Sequence, residues 1–225
     1  MAKSKCVPLK VTAHLIDSRF SSADGIIMLD AILYHAWFIC HHPEVFDENY
    51  EGKDIGNIGL PLLQLPGNRW AASKGIYEED EVAVSHYNKR PDFFAGDKYH
   101  YLGMDNGLIS DSVGVFRAYR NPQIVRTVKD GIITFYCVGH KKEVQELLNL
   151  IVGVGKKTAM GFGLVSGWNV EEADADYSTE HPVYGLMRPI EVDKTEKAYD
   201  RPIMQYAIRP PYWKVKNMRL CYVPI

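Results

Sequence analysis

Gly153-Val-Gly-Lys-Lys-Thr-Ala-Met-Gly-Phe-Gly163 is the stretch of this chain that is most specific for a fold and for a function. A segment with helical periodicity precedes it, and a strand-like segment follows it. Glycine accepts positive φ and lets a ligand approach main-chain N–H groups, while Lys156 and Lys157 add positive charge. The run therefore predicts a backbone loop that approaches a phosphate chain. A glycine-rich turn packed against its own sheet is the alternative interpretation.

Two helices are predicted from apolar residues at helical spacing, over residues 29–40 and 141–152. The buried face of the first is predicted to hold Leu29, Ile32, Leu33, Ala36, Trp37 and Cys40, and that of the second Val144, Leu147, Leu148 and Ile151. The glycine-rich run begins directly after the second helix.

Strands are predicted from period-2 alternation and turn residues. Residues 8–17 alternate in this way, and residues 60–72 form a strand interrupted by prolines. Residues 115–128 and 131–138 are predicted to pair as a hairpin joined at Lys129-Asp-Gly131. A last strand follows the glycine-rich run, over residues 163–170.

The order of these elements predicts an α+β fold with ferredoxin-like (RRM-like) β-α-β-β-α-β topology over residues 1–176. Residues 74–114 combine acidic, basic and aromatic clusters, and we expect them to form a long thumb-like insertion. Residues 177–225 are rich in proline and aromatic residues, and we expect a C-terminal extension packed on the domain. In it, Pro210-Pro-Tyr-Trp213 is predicted to anchor in an aromatic-lined groove or at a partner interface.

Composition limits the function classes. The net charge of −2 and the pI near 6.4 argue against coating nucleic acid by bulk electrostatics, so any such contact needs local basic clusters. The four cysteines are scattered, which favours reduced thiols and argues against structural zinc. The acidic runs lack the pattern of a calcium loop. Without a membrane-length apolar run or a signal-peptide core, we expect a soluble, cytoplasmic protein without metal or cofactor.

A basic and aromatic patch is predicted before the hairpin turn. Arg117 and Tyr119 share one face of a strand, while Arg120 points to the other. The first face would offer a guanidinium and a stacking ring to an unpaired base. A solvent-exposed edge with ordinary surface ion pairs is the alternative. All charges from Arg117 to Lys129 are positive, so this stretch and the two lysines of the glycine-rich run form the best candidate basic patch.

The Gly-x-Gly-Lys-Lys-x-x-x-Gly-x-Gly pattern between a helix and a strand resembles the C-terminal glycine-rich loop of the RAMP superfamily of CRISPR-associated proteins. Four further motifs are similar to the Cas-five-like subunit of type IV CRISPR effectors. They are Leu29-Asp-Ala-Ile-Leu-Tyr34, Phe116-Arg-Ala-Tyr-Arg120, Met187-Arg-Pro-Ile190 and Arg209-Pro-Pro-Tyr-Trp213. The resemblance spans nearly the whole chain.

This resemblance implies a noncatalytic subunit that binds the 5′ handle of guide (CRISPR) RNA and caps a filament of Cas-seven-like backbone subunits. Other effector subunits, and target DNA through the complex, would be further partners. The insertion would act as a thumb. The predicted RNA-binding residues are Gly153, Gly155, Lys156, Lys157, Gly161, Gly163, Arg117, Tyr119, Arg120, Arg126, Lys89 and Arg90.

Two other functions stay open. Some RAMP proteins cleave the CRISPR repeat without metal, with a histidine as general base. The candidates here are His14, His35, His86 and His140, and no motif singles out one of them. The second alternative is a protein-interaction module that binds no RNA, which the near-neutral net charge favours.

Overall fold

A computed structural model describes residues 5–46, 58–89 and 117–225 of the chain. The described helices are α1 (Leu29–His41) and α2 (Lys141–Leu148), and the described strands are β1 (Val7–Leu15), β2 (Arg19–Ser21), β3 (Gln64–Leu65), β4 (Arg69–Trp70), β5 (Glu79–Lys89), β6 (Tyr119–Val128), β7 (Ile132–Gly139), β8 (Val165–Glu172), β9 (Glu180–His181), β10 (Gly185–Leu186), β11 (Ile190–Glu191), β12 (Ile203–Ala207) and β13 (Met218–Tyr222). All paired strands of the described part are antiparallel. The predicted α+β class is confirmed.

The central sheet has the order β7-β1-β8. Leu9, Val11, Ala13 and Leu15 of β1 are buried, while His14 on the opposite face is exposed. This is the alternation that the sequence predicts, because successive side chains of a strand point to opposite faces. The inward residues form one core with both helices.

Both helices contact each other and cover the inward face of this sheet. Most of the predicted α1 face is buried, but Cys40 is exposed and the carboxylate of Asp30 is buried instead. Helix α2 ends at Leu148, four residues before the predicted end. Ile151 is nevertheless buried beyond that end, because the chain turns back into the core before it reaches the glycine-rich run.

A fourth segment lies along the free edge of β7. It pairs there through isolated antiparallel bridges from Leu62 to Gly139, from Ala72 to Cys137 and from Ile76 to Thr134. Between the first two bridges the chain leaves the sheet to form the small β3–β4 hairpin. The sequence predicts an irregular strand at 60–72, and its prolines explain the interruption, since proline lacks the N–H that a ladder needs.

The hairpin predicted at Lys129-Asp-Gly131 is wrong, because the strands on either side of the turn do not pair with each other. The turn is present, with Asp130 and Gly131 at positive φ. However, β6 pairs with β5 and β2, whereas β7 pairs with β1. The turn residues specify a change of direction, and here that change carries the chain from one sheet into another.

Strands β5 and β6 form an antiparallel arm, with Lys89 opposite Tyr119 at its far end and Val82 opposite Arg126 near its base. Nearly every residue of β5 is exposed. The predicted insertion at 74–114 lies mostly outside the described residues, which leave out 90–116. The described strands extend the arm to Val128, beyond the predicted boundary.

The C-terminal region carries a third sheet with the order β11-β13-β12 and a small core of its own. Arg188 is 1% exposed, and its guanidinium donates hydrogen bonds to the carbonyl oxygens of Trp70, Ala72 and Ile208. Lys74 Nζ also donates to the carbonyl of Pro224, at 2.5 Å. These bonds join the region to the central sheet. The predicted division at residue 176 stays a prediction.

Candidate nucleic-acid interface

A cleft of about 1150 Å³ lies between α1, the glycine-rich loop and the C-terminal region. We call these its three walls. Among the residues that line it are Tyr34, His35 and Phe38 from α1, Gly153, Gly155 and Lys156 from the loop, and Tyr206, Trp213, Lys214 and Lys216 from the C-terminal region. The cleft therefore combines aromatic rings with lysines.

Backbone hydrogen bonds hold the glycine-rich loop against β2. Lys156 N donates to the carbonyl of Ser21 at 2.7 Å, and Gly163 N donates to that of Arg19 at 2.7 Å. Val154 N donates to Gly163 O at 2.8 Å, which closes the loop on itself. These N–H groups are occupied by protein acceptors. The loop thus offers its lysine side chains, rather than these amides, to a ligand.

Close approach of the chain to itself explains two of the glycines. Gly155 has a φ of 78°, and a Cβ there would lie 2.7 Å from the carbonyl oxygen of Ser21. Gly163 has a φ of 70°, and its Cβ would collide with the carbonyl oxygen of Val154. Both positions require glycine for packing, as in the alternative interpretation of the loop. Gly161 differs, since a Cβ there would meet nothing within 4 Å.

Both lysines of the loop are exposed. Lys156 lines the cleft, together with Lys214 and Lys216 from the C-terminal wall. Asp24 is the one carboxylate among the described lining residues, and it accepts hydrogen bonds from the Ser22 hydroxyl, the Ile26 N–H and the Tyr206 hydroxyl. Three lysines against one hydrogen-bonded carboxylate give the cleft a local positive charge, although the chain as a whole is slightly acidic.

Hydrogen bonds to α1 and within the C-terminal region fix the C-terminal wall of the cleft. The Tyr212 hydroxyl donates to Asp30 Oδ1 at 2.8 Å, and the Asn217 amide donates to the carbonyls of Pro210 and Pro211 at 3.2 and 3.1 Å. Both prolines are buried, whereas Trp213 is 77% exposed. Tyr212 and the two prolines therefore anchor this segment in the fold, while Trp213 is left exposed, and the predicted alternative of a partner interface stays a prediction for Trp213.

Asp30 lies in the first turn of α1 and accepts the hydrogen bond from Tyr212. Burial raises the pKa of its carboxyl to about 6, and the positive charge of Arg188 opposes that rise. The Arg188 guanidinium lies 3.9 Å from Asp30 Oδ2, which has no hydrogen-bond partner. Attraction between the two charges thus links α1 to the C-terminal region, although Asp30 Oδ2 accepts no hydrogen bond from the guanidinium.

The predicted arm residues lie apart from the cleft. Tyr119 contacts the Tyr87 ring and lies beneath Lys89 Nζ, 5.9 Å from its ring centroid, while Arg120 faces the other way, as predicted. Arg117 is exposed, and Arg90 lies outside the described residues. From the pairing of Val125 with Ser21 at the cleft, Arg120 is five residues, or about 17 Å, further along β6. Arg120 thus lies away from the glycine-rich loop, whereas Arg126 pairs with Phe20, next to the Ser21–Lys156 bridge.

Arg126 holds the base of the arm. Its guanidinium pairs with the carboxylate of Glu79 and also donates to the carbonyl oxygens of Ser22 and Ala23. Lys129 pairs with Glu78 in the same way, at 2.8 Å. These partners interrupt the run of positive charge that the sequence shows between residues 117 and 129. That Arg126 binds RNA stays a prediction.

Of the four candidate histidines, His35 is the one that lines the cleft. Its ring packs edge-on against Phe46, and partial burial lowers its pKa, which favours the neutral imidazole. His14 and His86 are exposed elsewhere, and His140 lies 3.5 Å from the Cys6 sulfur. Within the described ranges, no three His, Cys, Asp or Glu side chains are grouped as a metal site would require.

Sequence reasoning missed the basic C-terminal wall. The signal was present, since Trp213-Lys-Val-Lys216 places two lysines two residues apart beside an aromatic ring. It was not recognised because Lys156, which lines the same cleft, lies far away in the sequence. Only the fold brings these charges together.

Comparison with known proteins gives a family match. The model of the family described as CRISPR type IV associated protein Csf3 matches residues 7–224. No curated protein matches the chain. In the described part of the chain, neither helix has the length and apolar character that crossing a membrane requires.

Proposed function

Since the chain belongs to the family of CRISPR type IV associated protein Csf3, we propose that it is the noncatalytic RNA-binding subunit of a type IV effector. In this proposal the cleft holds the 5′ handle of the guide RNA. The family match supports a CRISPR-associated subunit of type IV, and the RNA-binding role rests on the chemistry of the cleft.

The observation that carries the proposal is that Lys156, Lys214 and Lys216 line one cleft. Lysine is a flexible point charge that suits a phosphate chain of variable path. Each phosphate contact releases condensed counterions, which favours binding at physiological salt. The aromatic rings of the same walls offer faces on which unpaired bases stack. A single strand therefore fits the cleft in both charge and chemistry.

We extend the proposal to a ferredoxin-like core and a Cas-five-like member of the RAMP superfamily. Its support is the central sheet, in which β8, β1, β7 and the bridged segment 62–76 lie side by side. One helix follows β1 and the other follows β7, and both pack on one face. This is the arrangement expected of a β-α-β-β-α-β chain.

The arm is proposed to contact the guide RNA or the adjacent Cas-seven-like backbone subunit at the end of the filament. Its support is the exposure of Arg117, Tyr119 and Arg120 on a ribbon that projects from the core. In this proposal the arm contacts a neighbour outside the cleft. Target DNA would be read through base pairing with the guide.

Purification of the tagged chain from cells that express its neighbouring genes and a CRISPR array tests the proposal. Sequencing would identify bound RNA, and mass spectrometry would identify bound proteins. We expect a discrete guide RNA and a repeated backbone subunit, with less RNA on the Lys156→Glu/Lys157→Glu variant. The matched control is Lys141→Glu/Lys142→Glu, which reverses two exposed charges on α2, away from the cleft. Protein partners without RNA would contradict the proposal and favour an interaction module.

Cleavage of the CRISPR repeat is the second candidate, because His35 lines the cleft as a largely neutral imidazole that could act as a base. Incubation of repeat RNA with the purified chain, followed by analysis of the products, tests it. Loss of specific products in His35→Ala, but not in the exposed control His14→Ala, would establish this activity. Intact repeat RNA after incubation with the unmodified chain would exclude it.

A further inference from the structure

Trp213 is a large apolar side chain that is left 77% exposed on a rigid support. The bond between Tyr212 and Asp30 fixes the chain directly before it, and Asn217 holds the segment from the other end. The exposure therefore does not result from a loose terminus. A fixed and solvent-facing indole is a ready surface for an aromatic partner.

The neighbours of Trp213 indicate the chemistry of that partner. Lys214 and Lys216 follow it, and both are exposed and line the same cleft. The glycine-rich loop adds Lys156 to the lining of this cleft. An anionic partner with flat rings complements this combination, because the lysines attract phosphates while the indole stacks on a base.

We propose that Trp213 stacks on an unpaired base of single-stranded RNA whose phosphates pass Lys214 and Lys216. This inference rests on the proposed function and adds a base-stacking site on the C-terminal wall. Double-stranded RNA does not fit this role, because its bases are stacked on each other and leave no free face. The site binds without sequence preference, since every base has such a face.

Affinity for a labelled single-stranded oligouridylate, measured by fluorescence anisotropy with the full chain, tests the inference. Trp213→Ala should weaken binding by about 5-fold to 150-fold, the range that one stacked base contributes. Trp213→Phe should keep most of the affinity because it keeps a ring. Tyr184→Ala removes a ring that is exposed but does not line the cleft, and it should leave the affinity unchanged. An RNA duplex of the same length should bind Trp213→Ala as it binds the unmodified chain.

Ultraviolet crosslinking of the purified complex, with mass spectrometry of the crosslinked peptide, gives an independent measurement. We expect a nucleotide on Trp213. If Trp213→Ala binds the oligouridylate normally while Lys156→Glu/Lys157→Glu does not, the inference is wrong and the proposed function stands. If the unmodified chain and its purified complex hold no RNA, both are wrong. Loss of a protein subunit from the Trp213→Ala complex, with its RNA retained, would instead identify Trp213 as a protein contact and overturn the inference.

Discussion

The hydroxyl of Tyr212 donates a hydrogen bond of 2.8 Å to the Oδ1 atom of Asp30, and this bond joins the C-terminal wall of the cleft to the first turn of α1. The two residues are 182 positions apart in the sequence. The cleft thus depends on a partly buried contact between α1 and the C-terminal region. Because Asp30 is buried and titratable, it makes the stability of the fold depend on pH.

We predict that the contribution of Asp30 to the free energy of unfolding decreases as pH rises from about 4 to about 6. Its pKa is about 6 in the folded chain and near 3.8 when exposed, so the folded state binds more protons in this window. Stability falls with pH wherever the folded state holds more protons, by up to about 3 kcal/mol for this shift.

Urea unfolding across this pH range, with Asp30→Asn beside the unmodified chain, measures the effect. The difference between the two free energies of unfolding should shift in favour of Asp30→Asn as pH rises. Other groups titrate in both proteins and cancel in that difference. Parallel pH profiles for the two proteins would show that Asp30 does not titrate in this way.

Two glycines of the loop are predicted to differ in their tolerance of alanine. Both Gly161 and Gly163 have positive φ, which costs alanine about 1 to 2 kcal/mol. Gly163→Ala should cost several kcal/mol, because its Cβ also collides with the Val154 carbonyl, whereas Gly161→Ala should cost only the backbone strain. Thermal unfolding of both variants measures this, and equal destabilisation of the two would mean that the loop relaxes around Gly163.

We predict that Arg126 stabilises the base of the arm locally. Arg126→Ala removes the pair with Glu79 and the bonds to the carbonyls of Ser22 and Ala23, which are worth about 1 to 3 kcal/mol together because the guanidinium is largely shielded from solvent. Hydrogen exchange should accelerate in β5 and β6 while β1 keeps its protection. Lys129→Ala is the control, since its pair with Glu78 is exposed and contributes little. Unchanged exchange in the arm of Arg126→Ala would contradict this assignment.

The central sheet could be predicted from the sequence because its signals are local. Leu9, Val11, Ala13 and Leu15 alternate regularly, and α1 and α2 carry apolar residues at helical spacing. The turn at Lys129–Gly131 was also recognisable. Its strands could not be paired correctly, because turn residues set the change of direction while burial and edge availability select the partner strand.

The cleft could be predicted only in part. Lys156 stands out in the sequence because it lies among glycines, and the structure places it in the cleft. The need for glycine at position 155 depends on Ser21 of β2, which is far away in the sequence, whereas the close approach at Gly163 is to nearby Val154. Burial of Asp30 and exposure of Trp213 run against the usual preferences of both residue types, so composition and periodicity give no signal for either.

The affinity of the chain for single-stranded guide-handle RNA as a function of salt tests the central claim most directly. Lys156→Glu/Lys157→Glu should bind more weakly than the unmodified chain. The plot of log affinity against log salt concentration should be less steep for this variant, by about 0.7 in slope for each phosphate that it no longer neutralises. Lys141→Glu/Lys142→Glu, with the same change in net charge, should keep both the affinity and the slope. Equal affinity and slope for the unmodified chain and Lys156→Glu/Lys157→Glu would contradict the proposal that this cleft binds RNA.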